Sequence, residues 1–484
     1  MPASAPRSST SSADISATGP AKLQEVTRLL DILTKDLDEI SLLPHQRDAH
    51  LDSLKILGRD PVNAEPLFTK QAMETLTRHG FNSPSHTTSR NALRCICNIM
   101  VHRPETRQMF VDLGYEAKAC NKLKNDNRDD EFLVSRVLFL TTYGTDIDIE
   151  KLIDQYHVAE TISQNLSRHT KQYVTKSKKI KEIDPMEDMA LDESLKLLFN
   201  LTHHCPQRAS QFSPALHPIL TIIVKRPIPA NKPVDPPVRS LLHTLLNLEL
   251  DDPHNISTMF PKSDQNLNIS RILDILEMAV KAYTGENLER EVPPLLALLR
   301  RLYELSPKDV QSYTQSRALP SEEDRKEVLG RADTLSGRLL KLSTDPLAPS
   351  VRESCSALLF ELSNQDAQTF VQNVGYGFAA GFLMNKDIAV PQNAMEAYST
   401  NTSGEAASQA RQIPVNPITG QRLDSEAKID MPEMSEDEKE REAERLFVLF
   451  ERLKQTGVMN VQNPVQKAYQ EGRFLELDDD ADSD

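Results

Sequence analysis

Glycine is scarce in this chain, 15 of 484 residues, and β-branched residues almost never alternate with polar ones. Both absences speak against a fold built from strands, which relies on such alternation and on glycine at its bends. No stretch approaches the roughly 18 consecutive apolar residues that a membrane-spanning helix requires. Basic residues are outnumbered, 56 against 71 acidic, for a net charge of −15. Phosphate attraction needs basic surface, so the balance excludes nucleic acid as a partner and disfavours anionic membranes. Cysteine is sparse and scattered, at Cys95, Cys97, Cys120, Cys205 and Cys355. An odd count, with no apolar core to the Ser/Thr/Pro-rich N-terminal stretch, points to a reducing, cytoplasmic setting.

The motifs of chemistry are missing as well. There is no G-x-S-x-G, no G-x-x-x-x-G-K-[ST] and no H-E-x-x-H. Cys95-x-Cys97 is too closely spaced for paired zinc ligands on a helix, and His203-His204-Cys205 has no second cluster to complete it. Gly375-x-Gly377-x-x-x-Gly381 departs from the dinucleotide fingerprint and follows no strand, so it reads as tight helix packing or a turn. The expectation is a protein without bond-making chemistry, metal or cofactor.

What is present is a repeated phrase. Ile-Cys-Asn-Ile-Met (96–100), Leu-Phe-Asn-Leu-Thr (198–202) and Leu-Leu-Asn-Leu-Glu (245–249) share one pattern. Leu-Tyr-Glu-Leu-Ser (302–306) and Leu-Phe-Glu-Leu-Ser (359–363) repeat it with Glu for Asn, and a degenerate copy, Leu138-Phe-Leu-Thr141, fills the gap between the first two. Six residues after each Asn stands a proline, Pro104, Pro206 or Pro253, then a phenylalanine, Phe110, Phe212 or Phe260. The proline stops one helix, and the phenylalanine anchors the next. Helical repeats of roughly 40–50 residues make a solenoid, which presents a long surface for binding. The fold class is therefore all-α, an armadillo/HEAT-like superhelix.

Along the chain, residues 1–20 read as a disordered lead and 21–390 as the repeat array. In 187–202 the buried stripe is Leu191, Leu195, Leu198/Phe199 and Thr202, with Asn200 at its edge. Asn98, Asn247, Glu304 and Glu361 share that offset, so stacked repeats would set these groups in a polar ladder. Two readings of the ladder stand together: side-chain amides that hold an extended peptide, or amides that bond local backbone near helix ends. Arg59 and Arg136 would add charge-assisted bonds to a peptide carboxylate. The five prolines of 225–237 demand a loop, and 314–323 reads as another. The Lys171, Lys176, Lys178, Lys179 and Lys181 cluster reads as a solvated loop, with a basic patch for an acidic partner as the alternative. Residues 391–434 have no apolar period and form a linker. Ser435 and Glu438 then open a helix as a capping box, 435–456, with the stripe Ala443, Leu446/Phe447, Phe450 and Leu453. The remaining 457–484 end in an acidic run.

Several stretches together resemble the synembryn family. They are Asn91-Ala-Leu-Arg-Cys-Ile-Cys-Asn98, Leu195-Lys-Leu-Leu-Phe-Asn-Leu-Thr202, Gly375-Tyr-Gly-Phe-Ala-Ala-Gly-Phe-Leu383, Asn416-Pro-Ile-Thr-Gly420, and Ser435 through Lys454. The combination looks most like a fungal member. The resemblance implies a chaperone and non-receptor exchange factor for heterotrimeric G-protein α subunits, with recruitment from the cytoplasm to the cell cortex. It implies that the array grips the C-terminal helix of Gα through Arg59, Asn98, Arg136, Asn200 and Asn247. It further implies that the detached helix meets the nucleotide domain through Leu446, Phe447, Phe450 and Lys454. Animal members carry acidic Ser/Thr sites for an acidophilic kinase. Here 391–415 is almost uncharged, leaving Thr402 and Ser435 as the candidate positions. A peptide-binding adaptor or transport scaffold for another client is the alternative from composition and periodicity.

Overall fold

A computed structural model of the chain describes residues 16–174, 184–389, 398–399 and 414–426, with single positions from 435 to 448. It divides into two units, Met1–Ser425 and Glu426–Asp484. The lead before residue 16, Lys176, Lys178, Lys179, Lys181, Thr402, Leu446, Phe447, Phe450, Lys454 and the 457–484 tail lie outside the described residues.

The first unit is a stack of helices: α1 (Gly19–Glu39), α2 (Pro44–Leu57), α3 (Lys70–Asn82), α4 (His86–His102), α5 (Glu105–Asp112), α6 (Glu116–Leu123) and α7 (Arg128–Thr141). It continues through α8 (Ile149–Asp154), α9 (Val158–Val174), α10 (Pro185–His204), α11 (Leu216–Lys225), α12 (Val238–Asn247), α13 (Pro253–Met259) and α14 (Leu267–Ala282). It closes with α15 (Gly285–Leu305), α16 (Lys308–Ala318), α17 (Leu335–Leu342), α18 (Pro349–Leu362), α19 (Ala367–Val374) and α20 (Tyr376–Asn385). The sole strand pairing among the described residues is the two-residue pair Tyr398–Ser399 with Pro414–Val415.

The repeats begin and end where the sequence chemistry dictates. Asn127 accepts from the amides of Asp129 and Asp130 at the start of α7, and Asp184, Asp252 and Asp366 do the same for α10, α13 and α19. Pro104, Pro206 and Pro253 do more than end a helix. Pro206 and Pro253 are first residues of the next helical turns, and Pro104 is the N-cap of α5. Their missing N–H is harmless there. Phe110, Phe212 and Phe260 are all buried in the core.

Seven helices form one inner layer in chain order: α2 packs on α4, α4 on α7, α7 on α10, α10 on α12, α12 on α15 and α15 on α18. Every copy of the phrase lies on this layer. Hydrogen bonds between neighbours advance in step: Cys95 Sγ to the Leu51 carbonyl, Asn98 Nδ2 to that of Lys55, His102 Nε2 with that of Arg59. Thr244 Oγ1 and Asn247 Nδ2 reach the Leu195 and Phe199 carbonyls in the same sense. The neighbours therefore run parallel, and their C-terminal ends share one edge. The remaining helices pack behind them.

Two expectations change. Residues 314–318 belong to α16 and are not loop. Their polar side chains hid a buried i, i+4 stripe of Val310, Thr314 and Ala318, and Gln315 is held by the Leu362 carbonyl and the Tyr303 hydroxyl. Within the stretch read as a linker, residues 414–425 pack on the last helices of the array. In the second unit, Ser435 N–H and Oγ both donate to Glu438 Oε2, at 3.1 and 3.2 Å, which is the returning arm of a capping box. The described positions after it, from Glu438 to Val448, are helical and exposed.

Candidate functional site

The three Asn of the ladder already have partners inside the array, whereas Glu304 is exposed. Asn98 Nδ2 donates to the Lys55 carbonyl at 3.3 Å, and Asn247 Nδ2 to the Phe199 carbonyl at 3.3 Å. Arg301 caps the Leu246 and Leu248 carbonyls at the end of α12. These bonds run to the preceding inner helix, 43 to 55 residues back, and not to local backbone. Those to Lys55, Leu246 and Leu248 satisfy carbonyls that a helix end leaves open, while Phe199 is still within α10.

Asn200 differs from the other rungs. Its exposure is 4%. Its Nδ2 donates to Thr142 Oγ1 at 2.6 Å, and its Oδ1 accepts from the Tyr143 hydroxyl at 3.3 Å. Phe199, read from the sequence as part of the buried stripe, is the half-exposed one. Burial of an amide is tolerated because both its ends are bonded. That frees the aromatic ring to face outward.

Beside it lies a cavity of about 160 Å³ lined by Phe139, Tyr143, Leu195, Lys196, Phe199, Asn200, Ser240 and His243. Three consecutive inner helices supply it: α7, α10 and α12. Its aromatic walls brace one another. Phe139 and Tyr143 meet edge to face at 5.2 Å between centroids, and Phe199 stacks on His203 at 6.0 Å. Burial pushes the His243 imidazole below its ordinary pKa, with Arg239 adding to the effect and Glu291 opposing it. The ring is therefore neutral at pH 7. Lys196 supplies the one cation of the lining. Burial lowers its pKa, but Asp192 at 2.7 Å and Glu193 at 3.1 Å outweigh this and hold it charged. The cavity suits an apolar side chain entering from a polar rim.

The two predicted arginines sit differently. Arg59 is exposed just beyond the end of α2. Arg136 donates to Glu193 Oε1 at 3.0 Å and lies 5.8 Å above the Phe132 ring. Further pairs tie neighbouring inner helices together: Arg90 to Asp130 and Arg239 to Glu291 toward their starts, and Arg300 to Glu361 toward their ends. The aromatic lining went unread because an aromatic in a helical stripe resembles core. The available signal was the aromatic directly before the Asn or Leu of the phrase, at Phe139 and Phe199.

All five cysteines are buried, and burial pushes the Cys95, Cys97 and Cys120 thiols up to about 12. Among the described residues no group of three His, Cys, Asp or Glu could hold a metal ion, and no helix is long and apolar enough to cross a membrane.

Comparison with known proteins gives these wall residues a context. The model of the family described as guanine nucleotide exchange factor synembryn matches residues 50–473. A synembryn-like chaperone of Schizosaccharomyces pombe is 26% identical over 407 residues, covering 80% of this chain and 74% of that protein. Chaperone Ric-8A of Gallus gallus is 23% identical over 471 residues, covering 90% and 86%. That of Mus musculus is 23% identical over 471 residues, covering 91% and 86%. Among solved structures, an engineered protein aligns with 56% of this chain and 96% of its own, at 14% identity and a TM-score of 0.39. That score is too low to argue from.

Proposed function

The chain belongs to the synembryn family of guanine nucleotide exchange factors, and from that footing we propose that it binds heterotrimeric G-protein α subunits, releasing their GDP and chaperoning their folding. The observation that carries the reading is the cavity shared by α7, α10 and α12, with aromatic walls, a polar rim and the rungs of Asn98, Asn200 and Asn247 along the same layer. A partner helix would seat one apolar side chain in the cavity and set its polar flank along the rungs.

In this proposal the array takes the C-terminal helix of Gα. Phe199, Phe139 and Tyr143 make the anchor contact. Asn200 acts indirectly, holding the Tyr143 hydroxyl in place. Asn98 and Asn247 contact the partner from the rim, and Arg59 and Arg136 attract its terminal carboxylate. The second unit supplies a clamp on the nucleotide domain through Leu446, Phe447, Phe450 and Lys454. Tethering raises its local concentration at whatever the array holds.

The mechanism is linkage. A protein that binds nucleotide-free Gα more tightly than GDP-bound Gα must weaken GDP by the same factor. Withdrawing the C-terminal helix removes support from the loop that contacts the guanine. GTP would restore the helix and expel the array. Preference for a partly open client also accounts for the chaperone role. Control by an acidophilic kinase at Thr402 or Ser435, and recruitment to the cell cortex, belong to the same proposal.

The test is GDP release from Gα with and without the protein, and with Phe199→Ala. The anchor substitution should lower the acceleration about thirtyfold, the scale of a central aromatic anchor. If the native protein neither accelerates release nor raises the yield of folded Gα, the reading falls.

A further inference from the structure

Residues 414–425 return to the end of the array as a strap. Its turn is internally built: Gly420 N–H donates to the Asn416 carbonyl, Asn416 N–H to that of Gln421, and Asn416 Oδ1 accepts from Ile418 and Thr419 N–H. The turn is then docked through backbone. Tyr376 N–H donates to the Pro417 carbonyl at 2.8 Å, Gly377 N–H to that of Ile418 at 3.2 Å, and Leu329 N–H to that of Thr419 at 3.3 Å. The first two donors are the orphan amides at the start of α20. Arg422 N–H returns a bond to the Arg325 carbonyl at 2.8 Å.

Arg325 makes the attachment specific. Its exposure is 4%. Nη1 donates to the Gly420 carbonyl at 3.2 Å, while Nη2 donates to those of Gln372 and Asn373 at 3.2 and 2.9 Å. One guanidinium thus joins the strap to the end of α19. Two glycines allow the close approach. Gly420 has φ +69°, and a Cβ there would strike Leu329; Gly375 has φ +82°, and a Cβ would crowd the Ile418 carbonyl at 3.1 Å.

We propose that this strap is a latch that fixes the length of the leash on the second unit, with Arg325 and Gly420 as positioning residues for nucleotide exchange. The proposal rests on the two-part grip described above. With the strap docked, nine residues, 426–434, separate it from Ser435. Nine residues reach at most about 30 Å. With the strap released, the chain is held only from the end of α20 at Asn385, and the 49 residues 386–434 reach roughly 160 Å. Effective concentration falls as about the −3/2 power of leash length, so release weakens the clamp about tenfold without altering one contact at either grip.

Linker insertions in the full-length protein separate this from simple packing. Twenty Gly/Ser residues inserted after residue 405, upstream of the strap, should leave the acceleration of GDP release unchanged. The same insertion after residue 430, downstream, should lower it about fivefold. In Gly420→Val the upstream insertion should lose its silence, because nothing then anchors the chain between the two sites. Hydrogen exchange at the Tyr376 and Gly377 amides reads the latch directly and should be slow in the native protein and fast in Gly420→Val. Equal effects of the two insertions in the native protein, or fast exchange at both amides, overturn the latch while leaving the exchange function intact. A native protein that fails to accelerate GDP release overturns the function instead, and the latch then stands or falls on the two amides.

Discussion

The interior of the array holds a cluster of charges whose weight can be read from pH. Glu131 is fully buried on α7. It accepts from Arg168 Nη2 and His169 Nε2 on α9 and from Ser194 Oγ on α10. His169 is fully buried too, and its Nδ1 lies 3.3 Å from a Glu187 oxygen. Burial opposes the charged imidazolium, but the Glu131 and Glu187 carboxylates outweigh burial and the repulsion of Arg168, and its pKa is raised to about 9. The ordinary value is 6.5. A folded pKa above the unfolded one stabilises fully below the unfolded value and loses that stabilisation as pH rises through the folded value. Two and a half pKa units correspond to about 3 kcal/mol below pH 6, about 2 kcal/mol at pH 7.5 and under about 0.5 kcal/mol at pH 9. His169→Gln keeps a donor toward Glu131 and cannot carry the charge. Urea melts followed by circular dichroism at pH 6, 7.5 and 9 should show the native protein losing stability across the upper interval, with the variant less stable at pH 6 and flatter from 7.5 to 9. A variant curve that falls as steeply as the native one would place the pH sensitivity elsewhere and refute the assignment.

Two further predictions concern the grips. Arg59→Ala should weaken binding of a Gα C-terminal peptide several-fold and leave the melting temperature in place, since Arg59 is exposed, whereas Arg136→Ala should lower both because it leaves the buried Glu193 carboxylate, 5% exposed, with Lys196 as its one remaining cation; fluorescence titration and melting of the two variants check this. Phe447→Ala/Phe450→Ala should reduce exchange with the array's melting unchanged, and a fall in melting with exchange intact would make that helix a packing element and not a clamp.

The inner layer was legible because its copies carry the same punctuation. A proline six residues after each Asn, and a phenylalanine twelve or thirteen after it, mark where one helix stops and the next begins, and the structure lines up α4, α10 and α12 accordingly. Which residue of the phrase faces inward was not legible. Periodicity puts Asn200 beside the stripe, and only Thr142 and Tyr143, 58 and 57 residues away, make its burial acceptable. The tail of α16 was lost for the same reason, as Gln315 and Arg317 take their partners from other helices. The strap left even less trace. Its attachments run to backbone carbonyls and amides as far as 95 residues away, which any sequence supplies. Arg325 looks in the sequence like any solvated arginine. Asn416, whose Oδ1 closes the turn, and Gly375 and Gly420 at positive φ were the residues whose identity carried the information.

The division into two grips has a quantitative reason on the proposed mechanism. Shifting a client from 99% nucleotide-bound to 99% open requires about 5.5 kcal/mol of differential affinity. One aromatic cavity supplies a central anchor's worth, on the order of 2 kcal/mol. The rungs add little, because the Nδ2 groups of Asn98 and Asn247 are already engaged by the Lys55 and Phe199 carbonyls, and a partner must break those bonds to take them. Arg136 is likewise drawn off by Glu193. An array whose polar groups are largely spent on its own helix ends is stiff, and it holds a client's helix without having to order itself first. Stiffness alone does not reach the required differential. A second contact made only in the open state closes the gap, and it is effective to the degree that it is kept near, which is why the length of chain between Ser425 and Ser435 bears on exchange as directly as any residue of the wall.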